Sequence, residues 1–203
     1  MHNLTNATFR VMDVTQPLDF TDGLFDFINA RFLFGFMNPA IWPKLVAECF
    51  RITRPGGTMR LTEGETPISN SRAVEAMYGY FLQSLQRSGR SELPDGRQIA
   101  TTPLLRKFLH EAGWAGIQTK AHILDYSSGT EPHDAWVENE EKSFELMAPF
   151  YLRETALTQD HFDSLYQQLR SDHQSGSYYA LFYFLSAWGQ KPSSAKSARG
   201  KRV

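Results

Sequence analysis

Apolar and polar residues change their spacing several times along the chain, and each change predicts an element. Phe9 to Asp13 is a short apolar segment ending in an acid and predicts a strand. Pro17 and Asp22-Gly23 mark a loop. Leu24 to Ala30 predicts a second strand, with Asp26 near its start. Asn38-Pro39 predicts a helix start, with Asn as cap and Pro at the first helical position. From Ala40 to Thr53 the residues Ile41, Leu45, Val46, Cys49 and Phe50 recur at helical spacing. Arg54-Pro55-Gly56-Gly57 turns the chain into a third strand, Thr58 to Glu63.

Asn70 to Ser88 is helical in pattern, with Ala73, Met77, Tyr80, Phe81 and Leu85 on one stripe. A polar loop follows to Thr102, where Thr102-Pro103 opens a helix that ends at Ala112-Gly113. Ile117 to Leu124 alternates as a strand. His133 to Phe150 and Thr158 to Ser171 read as two helices joined around Pro149, and Tyr178 to Trp188 as a last, aromatic strand. The order predicts an α/β fold, with residues of about 126–176 as a helical insertion between two strands.

The 203 residues suit one domain, taken as 1–190. The formal charge of −1 hides an asymmetry. Residues 191–203 carry Lys191, Lys196, Arg199, Lys201 and Arg202 without an acid, so they read as a solvated, disordered basic tail. The body then holds 16 basic and 22 acidic residues, which argues against nucleic acid as the main partner. The most apolar run, Leu24 to Met37, contains Asp26 and Arg31 and is too short to span a bilayer. Cys49 is the only cysteine, so no internal disulfide forms and the expected setting is cytoplasmic.

Four signals in order carry a resemblance. They are Phe9-Arg10-Val11-Met12-Asp13, then Phe25-Asp26-Phe27-Ile28-Asn29-Ala30-Arg31, then Glu48 to Arg54 running into Pro55-Gly56-Gly57, then Met59-Arg60-Leu61-Thr62-Glu63. This set resembles the middle and C-terminal motifs of class I S-adenosylmethionine-dependent methyltransferases, especially their small-molecule branch. The resemblance implies an incomplete Rossmann-like sheet, mostly parallel with an antiparallel last strand, S-adenosyl-L-methionine as cofactor, and a small organic methyl acceptor. It also implies that Asp13 takes the adenine amino group and the Val14 amide a ring nitrogen. Asn29, Ala30 and Arg31 would then flank the methionine part, while Glu63 and Glu65 line the acceptor pocket under a lid formed by helices 70–88 and 133–150. The carboxyl ends of parallel strands, where open α/β sheets bind ligands, agree with these positions.

Each position also has a plainer reading. Asp13 suits a turn acid bonded to its own backbone, Arg31 a surface cation, Asp26 a structural acid, and Glu63 and Glu65 charged strand ends. The family's glycine-rich turn after a first strand, and the ribose-holding acid after a second, are not found. The histidines show no tight metal spacing, and no catalytic nucleophile stands out. His133 with Asp134 reads as cap and surface. Two functions stay open: methyl transfer as part of a longer chain, or a truncated non-catalytic remnant or binding module. The fold implied for such a remnant puts Tyr178–Trp188 antiparallel between Thr58–Glu63 and Ile117–Leu124. Phe9–Asp13 either pairs with Leu24–Ala30 or stays out, leaving residues 1–22 poorly ordered.

Overall fold

The computed structural model describes residues 6–91, 93 and 95–193. Strand β1 (Phe25–Arg31) is followed by helix α1 (Trp42–Ile52), which passes directly into β2 (Thr53–Gly64). A two-residue strand, β3 (Ile68–Ser69), leads to α2 (Arg72–Arg87). After a loop and one 3₁₀ turn come α3 (Leu105–Glu111) and β4 (Ala115–Asp125). Helices α4 (His133–Glu154) and α5 (Gln159–His173) form the insertion before β5 (Ala180–Gln190).

β1 pairs parallel with β2. β5 pairs antiparallel with β2 from Thr58↔Gln190 to Gly64↔Phe184, and with β4 from Ala115↔Gln190 to Asp125↔Leu181. It also pairs antiparallel with β3. Among the described residues four strands therefore share one direction and only β5 is reversed, lying between β2 and β4 as the resemblance implied. The hydrogen-bonded pairs themselves are one parallel and three antiparallel.

Two cores lie against this sheet. In one, Trp42, Leu45, Val46 and Cys49 of α1 pack with Phe108 and Leu109 of α3 on Met59, Leu61 and Ala187. The stacked rings of Trp42 and Phe108, 5.6 Å apart and 7° from parallel, join the two helices and add about 0.5–1.5 kcal/mol beyond their buried area. In the other, the stripe Ala73, Met77, Phe81 and Leu85 of α2 packs with Phe144 and Tyr151 of α4, Leu169 of α5 and Phe182 of β5. The Ser71 hydroxyl caps α2 by accepting from the Val74 amide at 3.2 Å. Thr158 caps α5 in the same way through the His161 amide.

Four expectations are corrected. Phe9–Asp13 is not a strand: it has no ladder partner among the described residues, and Phe9 and Val11 are 88% and 107% exposed. A short apolar segment gains nothing from extension when neither its amides nor its side chains find a partner. Residues 18–22 are nonetheless anchored. Arg51 donates to the carbonyls of Leu18 and Phe20 at 3.0 and 2.8 Å and to Asp22 at 2.7 Å, and Glu48 accepts from the Leu18 amide at 3.0 Å.

The second correction concerns Asn38. Its Oδ1 accepts from the amides of Ala40 and Ile41, but this closes a preceding turn, and α1 starts at Trp42 with Pro43 in its first turn. Third, α4 runs through Pro149 to Glu154, and the join to α5 falls at residues 155–158. The single amide that Pro149 lacks is outweighed by the burial of Ala148, Phe150 and Tyr151 around it. Fourth, Lys191 belongs to the fold and not to a solvated tail. Its ammonium donates to the carbonyls of Phe50 at 2.6 Å and Thr53 at 2.8 Å, and sits 4.6 Å from the Phe50 ring centre, capping the C-terminal end of α1. The rest of the predicted basic tail, from residue 194, lies outside the described residues.

Arg51→Met is expected to free residues 18–22 from α1. Losing charge-assisted bonds to two carbonyls should raise limited proteolysis within residues 8–22 by roughly tenfold or more. Unchanged cleavage would show that the segment is held by its apolar contacts instead.

Candidate active site

The two parallel strands end side by side, and the residues that leave them turn toward the same space. Phe32, Phe34 and Gly35 follow β1, while Glu65, Thr66 and Pro67 follow β2, and all six line one cavity of about 330 Å³. Tyr78 and Phe81 of α2, Trp136 and Phe144 of α4, and Phe182 of β5 close it. The two helices expected to form a lid are thus walls of this cavity. A largely aromatic enclosure with a few polar groups, at the carboxyl ends of parallel strands, is the usual form of a small-molecule site.

Two acids at the end of β2 hold its rim. Glu63 is fully buried, and its carboxyl oxygens accept from the amides of Leu33 at 2.9 Å and Phe34 at 3.2 Å. Burial pushes its pKa up to about 7, although the two amide bonds oppose this. Glu65 lines the cavity; its oxygens accept from the Ala100 amide at 3.0 Å and the Thr102 hydroxyl at 2.5 Å. Each acid stands beside a backbone in the left-handed region: Phe32 has φ of 53° and Ala100 has φ of 59°. Residues other than glycine adopt this region at a cost of about 1–3 kcal/mol, and such positions collect at functional sites. The carboxyls of Glu63 and Glu65 supply the local bonds that offset that cost.

A cluster that sequence reasoning did not single out lies at the cavity wall. Glu140 of α4 is 3% exposed and lines the cavity. Its Oε1 accepts from the hydroxyls of Tyr78 at 2.7 Å and Tyr126 at 3.1 Å. Its Oε2 lies 3.0 Å from His173 Nε2 and 3.3 Å from the Tyr178 hydroxyl. His173 Nδ1 faces Glu141 at 2.9 Å. Burial pulls the His173 pKa down, but its bonds to Glu140 and Glu141 outweigh this and hold it above its ordinary value. Burial, and then the charge of Glu140, push the Tyr78 hydroxyl well above its ordinary value, so it remains a donor. The signal was legible. Trp136, Glu140, Phe144 and Ala148 share one helical stripe, and an acid on an apolar stripe needs buried partners.

The residues expected to hold a cofactor are not gathered in one cavity. Asp13 is exposed, and its Oδ1 accepts from the Thr15 amide at 2.9 Å and the Thr15 hydroxyl at 2.7 Å. Those two bonds lower its pKa. Val14 and Asn29 line a groove along β1, with Leu18, Phe20 and Cys49. Asn29 Oδ1 accepts from Arg60 Nε at 2.8 Å. Ala30 is half-buried, and Arg31 is exposed with its guanidinium 5.2 Å from the Phe32 ring centre. Asp26 pairs with Arg54. The ring nitrogens of His133 lie 2.9 and 3.2 Å from the carbonyls of Tyr126 and His173, a structural placement.

Comparison with known proteins finds methyltransferases. Residues 1–57 match the family described as methyltransferase domain. The chain is 32% identical over 130 residues to a demethylmenaquinone methyltransferase of Beutenbergia cavernae, covering 55% of this chain and 49% of that protein. It is 31% identical over 139 residues to the methyltransferase pytC of Aspergillus terreus, covering 64% of this chain and 38% of that protein. A solved structure of a phosphoethanolamine N-methyltransferase of Haemonchus contortus aligns with 90% of this chain and 36% of its own, at 18% identity and a TM-score of 0.41. The chain is thus similar to methyltransferases over the stretches that these matches cover. It spans about half or less of the length of the curated relatives it matches. Among the described residues no helix is long and apolar enough to cross a membrane.

Glu63 gives the stability a testable pH dependence. Its carboxyl titrates near 4.5 when unfolded and at about 7 when folded. Between these values the folded chain binds more protons, so its contribution to stability falls as pH rises through the window, by roughly 3 kcal/mol in all. Thermal melts of the 203-residue chain from pH 5 to 7 should show that decline, and Glu63→Gln should flatten it. An equal slope in the variant would assign the effect to other groups.

Proposed function

We propose that this chain supplies the acceptor-binding part of an enzyme that transfers a methyl group from S-adenosyl-L-methionine to a small organic molecule. The observation that carries the reading is the aromatic cavity at the carboxyl ends of β1 and β2, in a chain related to methyltransferases. Such a site works chiefly by placement and exclusion of water, which suits a largely aromatic cavity. Glu65 and the aromatic walls would contact the acceptor, and Glu63 would act through the loop it pins. In this reading Asp13 and Val14 serve the adenine, and Asn29, Ala30 and Arg31 the methionine part. The name demethylmenaquinone methyltransferase is consistent with a small-molecule acceptor.

The described residues do not fit the whole cofactor. Asp13 spends one oxygen on Thr15 on an exposed turn, and the five candidate positions do not line one cavity. A second reading, a non-catalytic binding module, rests on that same observation.

Calorimetric titration separates the two. The 203-residue chain alone is expected to bind S-adenosyl-L-methionine with a dissociation constant well above micromolar, and micromolar binding would refute the expectation. A longer chain that also carries a glycine-rich turn should bind it. In that chain Asp13→Ala should weaken binding by about 1.5–3 kcal/mol, the worth of one charge-assisted hydrogen bond. If the longer chain does not bind either, the module reading stands; if Asp13→Ala changes nothing, Asp13 is a turn residue only.

A further inference from the structure

The cavity's polarity points to a narrower class of ligand. Among the described residues that line it there are two carboxyl groups, Glu65 and Glu140, and no Lys, Arg or His. An anionic group entering it would leave water for aromatic walls and carboxyls, with no counter-charge to receive it. That is among the more costly transfers in protein chemistry. A carboxylate- or phosphate-bearing acceptor is therefore disfavoured by what the wall lacks.

The carboxyls do not in turn make a cation site. Glu140 is already matched by His173, whose Nε2 lies 3.0 Å from Oε2, and its two oxygens are further occupied by three tyrosine hydroxyls. Glu65 is engaged by the Ala100 amide and the Thr102 hydroxyl. The wall also carries the hydroxyls of Thr66, Ser143 and Tyr151 and the side chain of Asn139, while at the Glu140 cluster what remains for a ligand is the oxygen of Tyr78. Its proton is committed to Glu140 at 2.7 Å, so its lone pairs can accept a hydrogen bond, and the side chain lies on the cavity wall. An accepting oxygen in an aromatic slot selects a flat ring that carries one donor.

The geometry points to an uncharged, ring-shaped acceptor bearing a hydroxyl, held with that hydroxyl donating to Tyr78, whose orientation Glu140 fixes. This rests on reading the cavity as the acceptor site, but it does not require the cofactor. It assigns Tyr78 as a binding residue and Glu140 as a positioning residue.

The test uses four soluble probes with the 203-residue chain: 4-ethylphenol, ethylbenzene, 4-ethylbenzoate and 4-ethylbenzylammonium, titrated by NMR. 4-Ethylphenol should bind roughly tenfold more tightly than ethylbenzene, the worth of one net hydrogen bond. Both ions should bind more weakly than 4-ethylphenol. Tyr78→Phe should bring the phenol and the hydrocarbon to within about twofold, with hydrocarbon binding kept. Ser143→Ala, on the same wall but outside the cluster, should leave the preference intact. Tighter binding of either ion, or a phenol preference that survives Tyr78→Phe, overturns the inference and leaves the methyltransferase reading in place. Failure of all four probes to bind overturns both the inference and the assignment of the cavity as the acceptor site. Loss of cofactor binding in the longer chain touches neither result.

Discussion

The reversed strand β5 is the constraint on which the rest depends. It hydrogen-bonds along one edge to β2 and β3 and along the other to β4. Its side chains alternate between the two cores: Ala180, Phe182 and Phe184 meet the α2, α4 and α5 layer, and Leu185 and Ala187 meet the α1 and α3 layer. Because strand residues alternate with a period of two, a slip of one residue would exchange the two sets at once. The buried hydroxyl pair of Thr62 and Ser186, 2.8 Å apart, is satisfied only in the observed register. Gly64 adds a second lock, since a side chain there would collide with the Phe182 ring. The register of β5 therefore decides where Phe182 stands, and Phe182 is one wall of the cavity.

The cavity's other walls come from segments that would not hold their shape alone. The turns after β1 and before α3 each contain a non-glycine residue in the left-handed region, and each is bonded to an acid at the end of β2. The strain is local while the compensation comes from the sheet, so the two loops stay in place only while β2 does. On the far side, α4 and α5 are joined through Glu140, Glu141 and His173 rather than through apolar packing alone. A buried acid–imidazole pair contributes little net stability but is costly to break on one side, so it fixes one arrangement of the two helices against the alternatives.

Much of this was legible in the sequence, and the failures have physical causes. β1, β2, β4 and β5 were readable as apolar or alternating runs, with Pro55-Gly56-Gly57 at the start of β2 and Ala112-Gly113 just before β4. The reversed direction of β5 came from the resemblance and not from its residues. β3 has two residues and carries no periodic signal. Phe9–Asp13 shows the limit of local pattern: apolar residues describe what a segment can bury, and only a partner decides whether it does. Lys191 was grouped with its basic neighbours by composition, yet its role is set by the carbonyls that α1 leaves unpaired. Glu63 and Glu65 were singled out as pocket acids, and their oxygens turned out to face backbone amides and a hydroxyl. Long-range bonds of that kind have no spacing to betray them.

The two halves of the expected site also differ in how they are built. Every wall of the aromatic cavity comes from elements within this chain, fixed by β5, the two rim acids and the Glu140 cluster. The candidate cofactor positions instead lie on β1, which pairs with no second strand among the described residues, and on an exposed turn held by the bonds of Asp13 to Thr15. A strand edge without a neighbour leaves amides and side chains aimed at solvent. The aromatic cavity is thus preorganised here independently of the β1 edge. The energetic coupling between the two would have to pass through the five residues from Asn29 to Leu33, which join the β1 edge to the cavity rim.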